Sequence, residues 1–296
     1  MASFYPAQRF STGLARCLTL ALPLLLATGP LKAAEPRTVQ GLATPESAVV
    51  GPDGRIYVSE IGGFGKDGDG RISVIGKAGT VEPFASGFDD PKGLAASSNA
   101  LYVADKTRIW KVDRQGKATV FVKAEDFPQT PMFLNDLVLD GGGNLYVSDS
   151  GDLEKGGKGA IFKVTPAGKA SLVVSEAGNA SIKSPNGLLF ESPGRLLVVD
   201  FATGELLRLD VAKGTVAKVA DGFGGGDGLA RDAAGMLYVS DWKGGKLWKL
   251  DLKKAGAKPE PYAQSFKASA DITLSRDGKF ILVPDMKAGT LVWLPK

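Results

Sequence analysis

One phrase recurs six times along this chain: a glycine or asparagine turn, a run of β-branched or aromatic residues, then an acid. It first reads Gly54-Arg55-Ile56-Tyr57-Val58-Ser59-Glu60. It returns as Leu101-Tyr102-Val103-Ala104-Asp105, Leu145-Tyr146-Val147-Ser148-Asp149 and Leu197-Val198-Val199-Asp200, then as Leu237-Tyr238-Val239-Ser240-Asp241 and Leu282-Val283-Pro284-Asp285. Successive acids lie 45, 44, 51, 41 and 44 residues apart. A period in this range marks a repeat architecture in which each unit buries its apolar face against the next.

Each unit carries four strand-like pieces. In the fifth they fall at 228–230, 236–240, 246–251 and around 259–262, separated by turn residues such as Asp232, Ala234-Gly235 and Gly244-Gly245. Short runs of β-formers broken by Gly and Asp are strand and hairpin signals. Four strands per unit and six units describe an all-β, six-bladed β-propeller occupying residues 35–296 as a single domain. Its 39 glycines suit a chain of many short strands and turns. The sixth unit ends at its third strand, Thr290-Leu291-Val292-Trp293, whereas Arg37-Thr38-Val39-Gln40 stands alone before the first. The N-terminal strand is therefore expected to complete the last blade, closing the ring and protecting its edges. An open solenoid of the same repeats is the alternative.

Arg9 and Arg16 precede an apolar run over 17–28, followed by small residues at Gly29, Ala33 and Ala34. A dozen apolar residues is short for a membrane span of roughly 20, and the basic-then-apolar order is that of a secretory signal peptide over 1–34. A retained anchor is the alternative. Cleavage removes Arg9, Arg16 and Lys32 and no acid, leaving 33 basic against 32 acidic residues, about +1. So balanced a charge gives no electrostatic basis for binding nucleic acid or an anionic membrane. The expectation is an exported protein, periplasmic or extracellular, monomeric, acting on a small molecule. The sole cysteine, Cys17, leaves with the signal segment, and there is no histidine anywhere. That absence excludes Ser-His-Asp and Cys-His catalysis, imidazole zinc sites and histidine-dyad lactonases.

Fourteen residues before five of the repeated acids stand Glu46, Asn135, Asn186, Asp227 and Asp271; thirteen before the other stands Lys92. All six are polar at the start of an innermost strand, so they form a ring at one mouth of the channel. Its three carboxylates, two amides and one ammonium carry a net charge of −2. Crowded carboxylates must take up a proton unless a cation binds. Oxygen ligands without His or Cys suit calcium first, or magnesium or manganese, ahead of zinc. Water and mutual hydrogen bonds could cap the ring instead. Two long connections between second and third strands, 62–70 and 151–159, are expected to overhang it. Trp242 is expected on the pocket wall, and Trp110, Trp248 and Trp293 in packing between blades. Asp67-Gly68-Asp69-Gly70 lacks a following glutamate at calcium-loop spacing and reads as a turn.

The chain resembles the senescence-marker-protein (regucalcin) and gluconolactonase family of six-bladed propellers, most closely at Ser184-Pro185-Asn186-Gly187-Leu188 and at Asp227-Gly228-Leu229 followed by Gly235-Met236-Leu237-Tyr238-Val239. The resemblance implies one divalent cation held by Glu46, Asn186 and Asp227, which polarises a lactone carbonyl while Asp227 acts as general base. It implies that Asn135, of the pair Asn135-Asp136, faces metal or substrate. Lys92, Asp271, Phe133 and Trp242 complete the residues expected around the substrate. Two departures stand out. Ala48 and Val50 replace a proline and an aromatic after the first-blade glutamate, and Phe133 stands where the family often has an arginine for sugar groups. The functional expectation is a cation-dependent lactone or ester hydrolase. The alternatives are a non-catalytic propeller binding a small molecule or protein, and strictosidine-synthase-like condensation chemistry.

Overall fold

The computed structural model describes residues 1–3 and 37–296. Apart from Met1–Ser3, the segment expected to be a signal peptide lies outside the described residues.

Residues 37–296 form six four-stranded antiparallel sheets in a ring, a six-bladed β-propeller. In the first five blades the strands follow chain order from the axis outward. The innermost strands are Pro45–Val50, Pro91–Ala96, Leu134–Leu139, Pro185–Ser192 and Gly226–Arg231. The sixth blade is built from Thr273–Leu274, Phe280–Asp285 and Thr290–Pro295, and Arg37–Gln40 adds the outermost strand. Its register pairs Arg37 with Trp293 and Val39 with Leu291, so the ring closes through the N-terminal strand as expected.

The recurring phrase is visible in sequence because of where it lies. Second strands such as Ala100–Asp105 and Leu145–Asp149 are buried along their whole length, wedged between neighbouring blades. A strand covered on both faces reads as a continuous apolar run. Outermost strands such as Thr215–Asp221 mix exposed and half-buried positions and read weakly. The core is a set of wedges between adjacent blades. Tyr102, Ile109 and Val122 of the second blade pack with Leu137, Val147 and Phe162 of the third. At the closure Val39 and Leu42 join Ala48 and Val58 with Leu282, Leu291 and Trp293. Trp110, Trp248 and Trp293 all sit in these wedges.

The repeated acids are buried and serve as clamps on the chain entering each innermost strand. Asp105 accepts the N–H groups of Asp89 and Asp90, Asp149 those of Met132 and Phe133, and Asp200 those of Lys183 and Ser184. Asp241 accepts that of Gly225, Asp285 those of Lys267 and Ala268, and Glu60 that of Ala43. A carboxylate satisfying otherwise orphaned buried N–H groups makes a strong, charge-assisted bond.

Immediately after the clamp, the first five innermost strands bulge. Register with the second strand slips between Pro45 and Ala48, Pro91 and Leu94, Leu134 and Leu137, Pro185 and Leu188, and Gly226 and Leu229. The residues inside each slip are the ring residue and its successor. A bulge leaves them outside the ladder and re-aims their side chains. Where serine precedes the repeated acid, its hydroxyl accepts the stranded N–H: Ser59 from Ser47, Ser148 from Asp136, Ser240 from Gly228.

Candidate functional site

Five ring residues, Glu46, Lys92, Asn135, Asn186 and Asp227, line one cavity of about 250 Å³. All five are buried, at 2–6% exposure. Clamp and bulge put them there. In blades two to five the ring residue comes two positions after its last clamped N–H; Glu46 comes three after Ala43.

Asp271, also expected around the substrate, is bonded to the first blade. It does not line the cavity; its Oδ2 accepts the Ser47 hydroxyl at 2.6 Å, and its N–H donates to the Glu46 carbonyl at 3.0 Å. The sixth blade departs from the others here. Its innermost strand is cut to Thr273–Leu274, and Asp271 follows the clamped Ala268 by three positions.

Asp136 is the channel acid that the spacing argument left out of the ring. Its carboxylate accepts the N–H of Leu137 and, across to the fourth blade, that of Leu188, both at 2.6 Å. A signal was present in the repeat: at the bulge successor the first, second, fourth and fifth blades have Ser47, Gly93, Gly187 and Gly228, whereas the third has an acid. Counting Asp136, the channel holds four carboxylates against one ammonium, −3 rather than the −2 of the ring alone.

Burial pushes Glu46, Asp136 and Asp227 well above the usual carboxylate range, with mutual repulsion adding to it. Asp271 is pushed up to about 7, mainly by burial, with hydrogen bonds from Ser47 and Ile272 opposing the shift. Lys92 is lowered by burial, which its acidic neighbours Glu46, Asp90 and Asp105 partly offset. Its ammonium donates to the Asp90 carbonyl at 3.0 Å and lies 4.1 Å from the centroid of Phe133. Phe133 thus supplies a cation–π partner for Lys92 on the cavity wall.

Three buried oxygens of this group have no hydrogen-bond donor: Glu46 Oε2, Asn135 Oδ1 and Asp227 Oδ1. The amide of Asn135 is oriented by Nδ2 donating to Ser150 Oγ at 3.1 Å, which leaves its oxygen free. Buried acceptors are rarely left unpaired without a function or an ion. Among the described residues no three His, Cys, Asp or Glu side chains converge as a metal cluster, so a donor set here has to include the amides. Two carboxylates and two amides form an all-oxygen set that fits a hard divalent cation.

Above this floor the wall is apolar. Phe64 and Leu153 come from the two long connections and stand 58% and 47% exposed at the mouth. Ile61, Ser150, Phe201, Trp242 and Met286 also line the cavity. Each is the residue immediately after a repeated acid, so the repeat encodes a second ring that only Trp242 betrayed beforehand. The Asp67–Asp69 segment is engaged within the surrounding loops: Asp67 pairs with Lys106, and Asp69 accepts the Gly63 N–H.

A closed six-bladed propeller with an acid- and amide-lined cavity at its axis defines the class of protein. The chain belongs to the SMP-30/Gluconolactonase/LRE-like family, whose region matches residues 93–264. Among solved structures, it is similar to the X-ray structure of a provisionally named gluconolactonase, with a TM-score of 0.66 at 19% identity over 89% of this chain and 93% of that one. At that identity the likeness speaks for the fold. No curated protein matches the chain in sequence.

Proposed function

We propose that this protein is an exported hydrolase that opens a lactone or related ester with the help of one divalent cation, calcium first. One observation carries this reading: Glu46 Oε2, Asn135 Oδ1 and Asp227 Oδ1 are buried acceptors without donors at the floor of an open cavity. Glu46, Asn186 and Asp227, with Asn135 beside them, would hold the ion. When bound, it supplies the electrophile that polarises the carbonyl, a task this chain has no histidine to perform.

The remaining roles belong to the protein's own groups. Asp227, ionised alongside the cation, takes a proton from water as the water oxygen bonds to the carbonyl carbon. The ring C–O bond then breaks and that proton passes to the departing alkoxide, leaving a hydroxy acid. Asn135 is held by Ser150 in the orientation that points its oxygen away from that hydroxyl. Lys92 places positive charge beside the carboxylates without leaving its own partners, Asp90 and Phe133.

A panel of lactones with calcium, magnesium, manganese, zinc and chelator, run on wild type and Asp227→Ala, tests the reading. Turnover that depends on both the ion and Asp227 supports it. Absence of turnover with every ion sinks it in favour of a non-catalytic binding propeller. Mass analysis of the mature chain tests export, with a new N-terminus expected between Gly29 and Glu35.

A further inference from the structure

The cavity wall has almost nothing with which to hydrogen-bond a ligand. Ile61, Phe64, Phe133, Leu153, Phe201 and Met286 offer no donor. Apart from Lys92 of the ring, which donates to the Asp90 carbonyl, the two wall side chains that carry one already use it. Ser150 Oγ donates to the Pro185 carbonyl at 2.9 Å and accepts from Asn135. Trp242 Nε1 points to Met286 Sδ at 3.3 Å. Lys243 and Lys287 lie 4.3 Å from the ring centroids of Phe201 and Trp242, giving each aromatic a cation–π partner.

From this we infer that the part of the substrate held above the ring is an unsubstituted alkyl or aromatic group, and that polyhydroxylated sugar lactones are poor ligands. The inference deepens the hydrolase reading and rests on it for the word substrate, although the ligand preference of the cavity stands by itself. A sugar hydroxyl brought against this wall loses water and gains no partner, and each such group is costly when buried unpaired. An alkyl chain instead covers Phe64 and Leu153, the apolar side chains left exposed at the mouth. Discrimination by an apolar pocket against added hydroxyls is modest, about 10²-fold.

The test pairs binding with turnover. Isothermal titration calorimetry in calcium compares a pentyl-substituted δ-valerolactam with gluconolactam, both resistant to hydrolysis. Kinetics compare δ-decalactone with glucono-δ-lactone, which share a six-membered ring. Tighter binding of the alkyl lactam by about tenfold or more, and a kcat/KM for decalactone about 10²-fold higher, are expected. Phe64→Ser and Leu153→Ser lie at exposed positions, and each should weaken alkyl-lactam binding severalfold without lowering Tm. Equal or tighter binding of gluconolactam overturns the inference, as does failure of both lactams to bind. Alkyl-lactam binding with no lactone turnover leaves the inference intact and sinks the hydrolase reading. Preferred turnover of glucono-δ-lactone does the reverse.

Discussion

The carboxylate of Asp149 accepts the backbone N–H of Phe133 at 2.7 Å, fixing the chain two residues before Asn135 enters the cavity. The acid that announces each repeat is thus the anchor for the side chain that serves the site. Asp149→Ala strands the N–H groups of Met132, Phe133 and Gly151 in a buried region. A loss on the order of 3 kcal/mol is expected in urea unfolding, since each orphaned group costs about 1–3 kcal/mol and water can reach some of them. A change under 0.5 kcal/mol would show that the clamp is dispensable.

Asp227→Asn keeps the shape of the side chain and removes its charge. If Asp227 is the base, kcat for the best lactone should fall by about 10²–10⁴. Stability of the ion-free protein should not fall, because one member of a repelling, buried acid group becomes neutral. Reduced stability with retained turnover would contradict both roles.

Asp271 sets one part of the pH dependence of the ion-free protein. Its ordinary value is 3.8, and burial raises it to about 7 in the folded chain. Between those values the folded state holds a proton that the unfolded chain has released. Stability therefore falls as pH rises through that window, and the raised Glu46, Asp136 and Asp227 act in the same direction. The share from Asp271 is on the order of 4 kcal/mol at about 1.4 kcal/mol per pH unit. Calcium, by binding the ionised channel, should raise Tm at about pH 8 far more than at about pH 5. A calcium effect independent of pH would count against an ion among these carboxylates.

Gly187 follows Asn186 in the fourth-blade bulge, and a Cβ there would lie 2.2 Å from the Asp227 carbonyl oxygen. Gly187→Ala should push the fourth and fifth innermost strands apart, costing about 1–3 kcal/mol. Calcium affinity measured by titration should fall with it, because Asn186 and Asp227 separate. Gly141→Ala, with open space around it, serves as the control.

Removing residues through Gln40 deletes the strand paired with Thr290–Pro295. That strand becomes an open edge and Trp293 loses Arg37, which lies 4.8 Å from its ring. Soluble oligomers or aggregation are expected by light scattering. A monomer with wild-type Tm would mean that the closure contributes nothing.

Much of this arrangement is legible in the sequence. Blade count and closure were legible because second strands are buried on both faces and repeat their apolar run. Glu46, Lys92, Asn135, Asn186 and Asp227 were legible because clamp and bulge stand at near-constant spacing from the acid. The collar of Ile61, Phe201 and Met286 was not, since a single apolar residue after an acid looks the same whether it faces a wedge or a cavity. The settings of Asp136 and Asp271 were not legible for a related reason: each carboxylate is bonded by a neighbour on another blade.

The ring of polar residues that the repeat predicted is thus present, with Asp136 added to the channel and Asp271 turned out of the cavity. By itself, the sequence determined what is periodic or local: six blades, the closing strand, the clamps and the positions that approach the axis. Tertiary structure alone decided which of those side chains share a cavity, which oxygens lack donors and how apolar the wall above them is. Those outcomes depend on contacts between blades, such as Ser47 with Asp271 across 224 residues and Leu188 with Asp136 across 52. No spacing along the chain encodes them, because they form only when the ring closes and brings the innermost strands together.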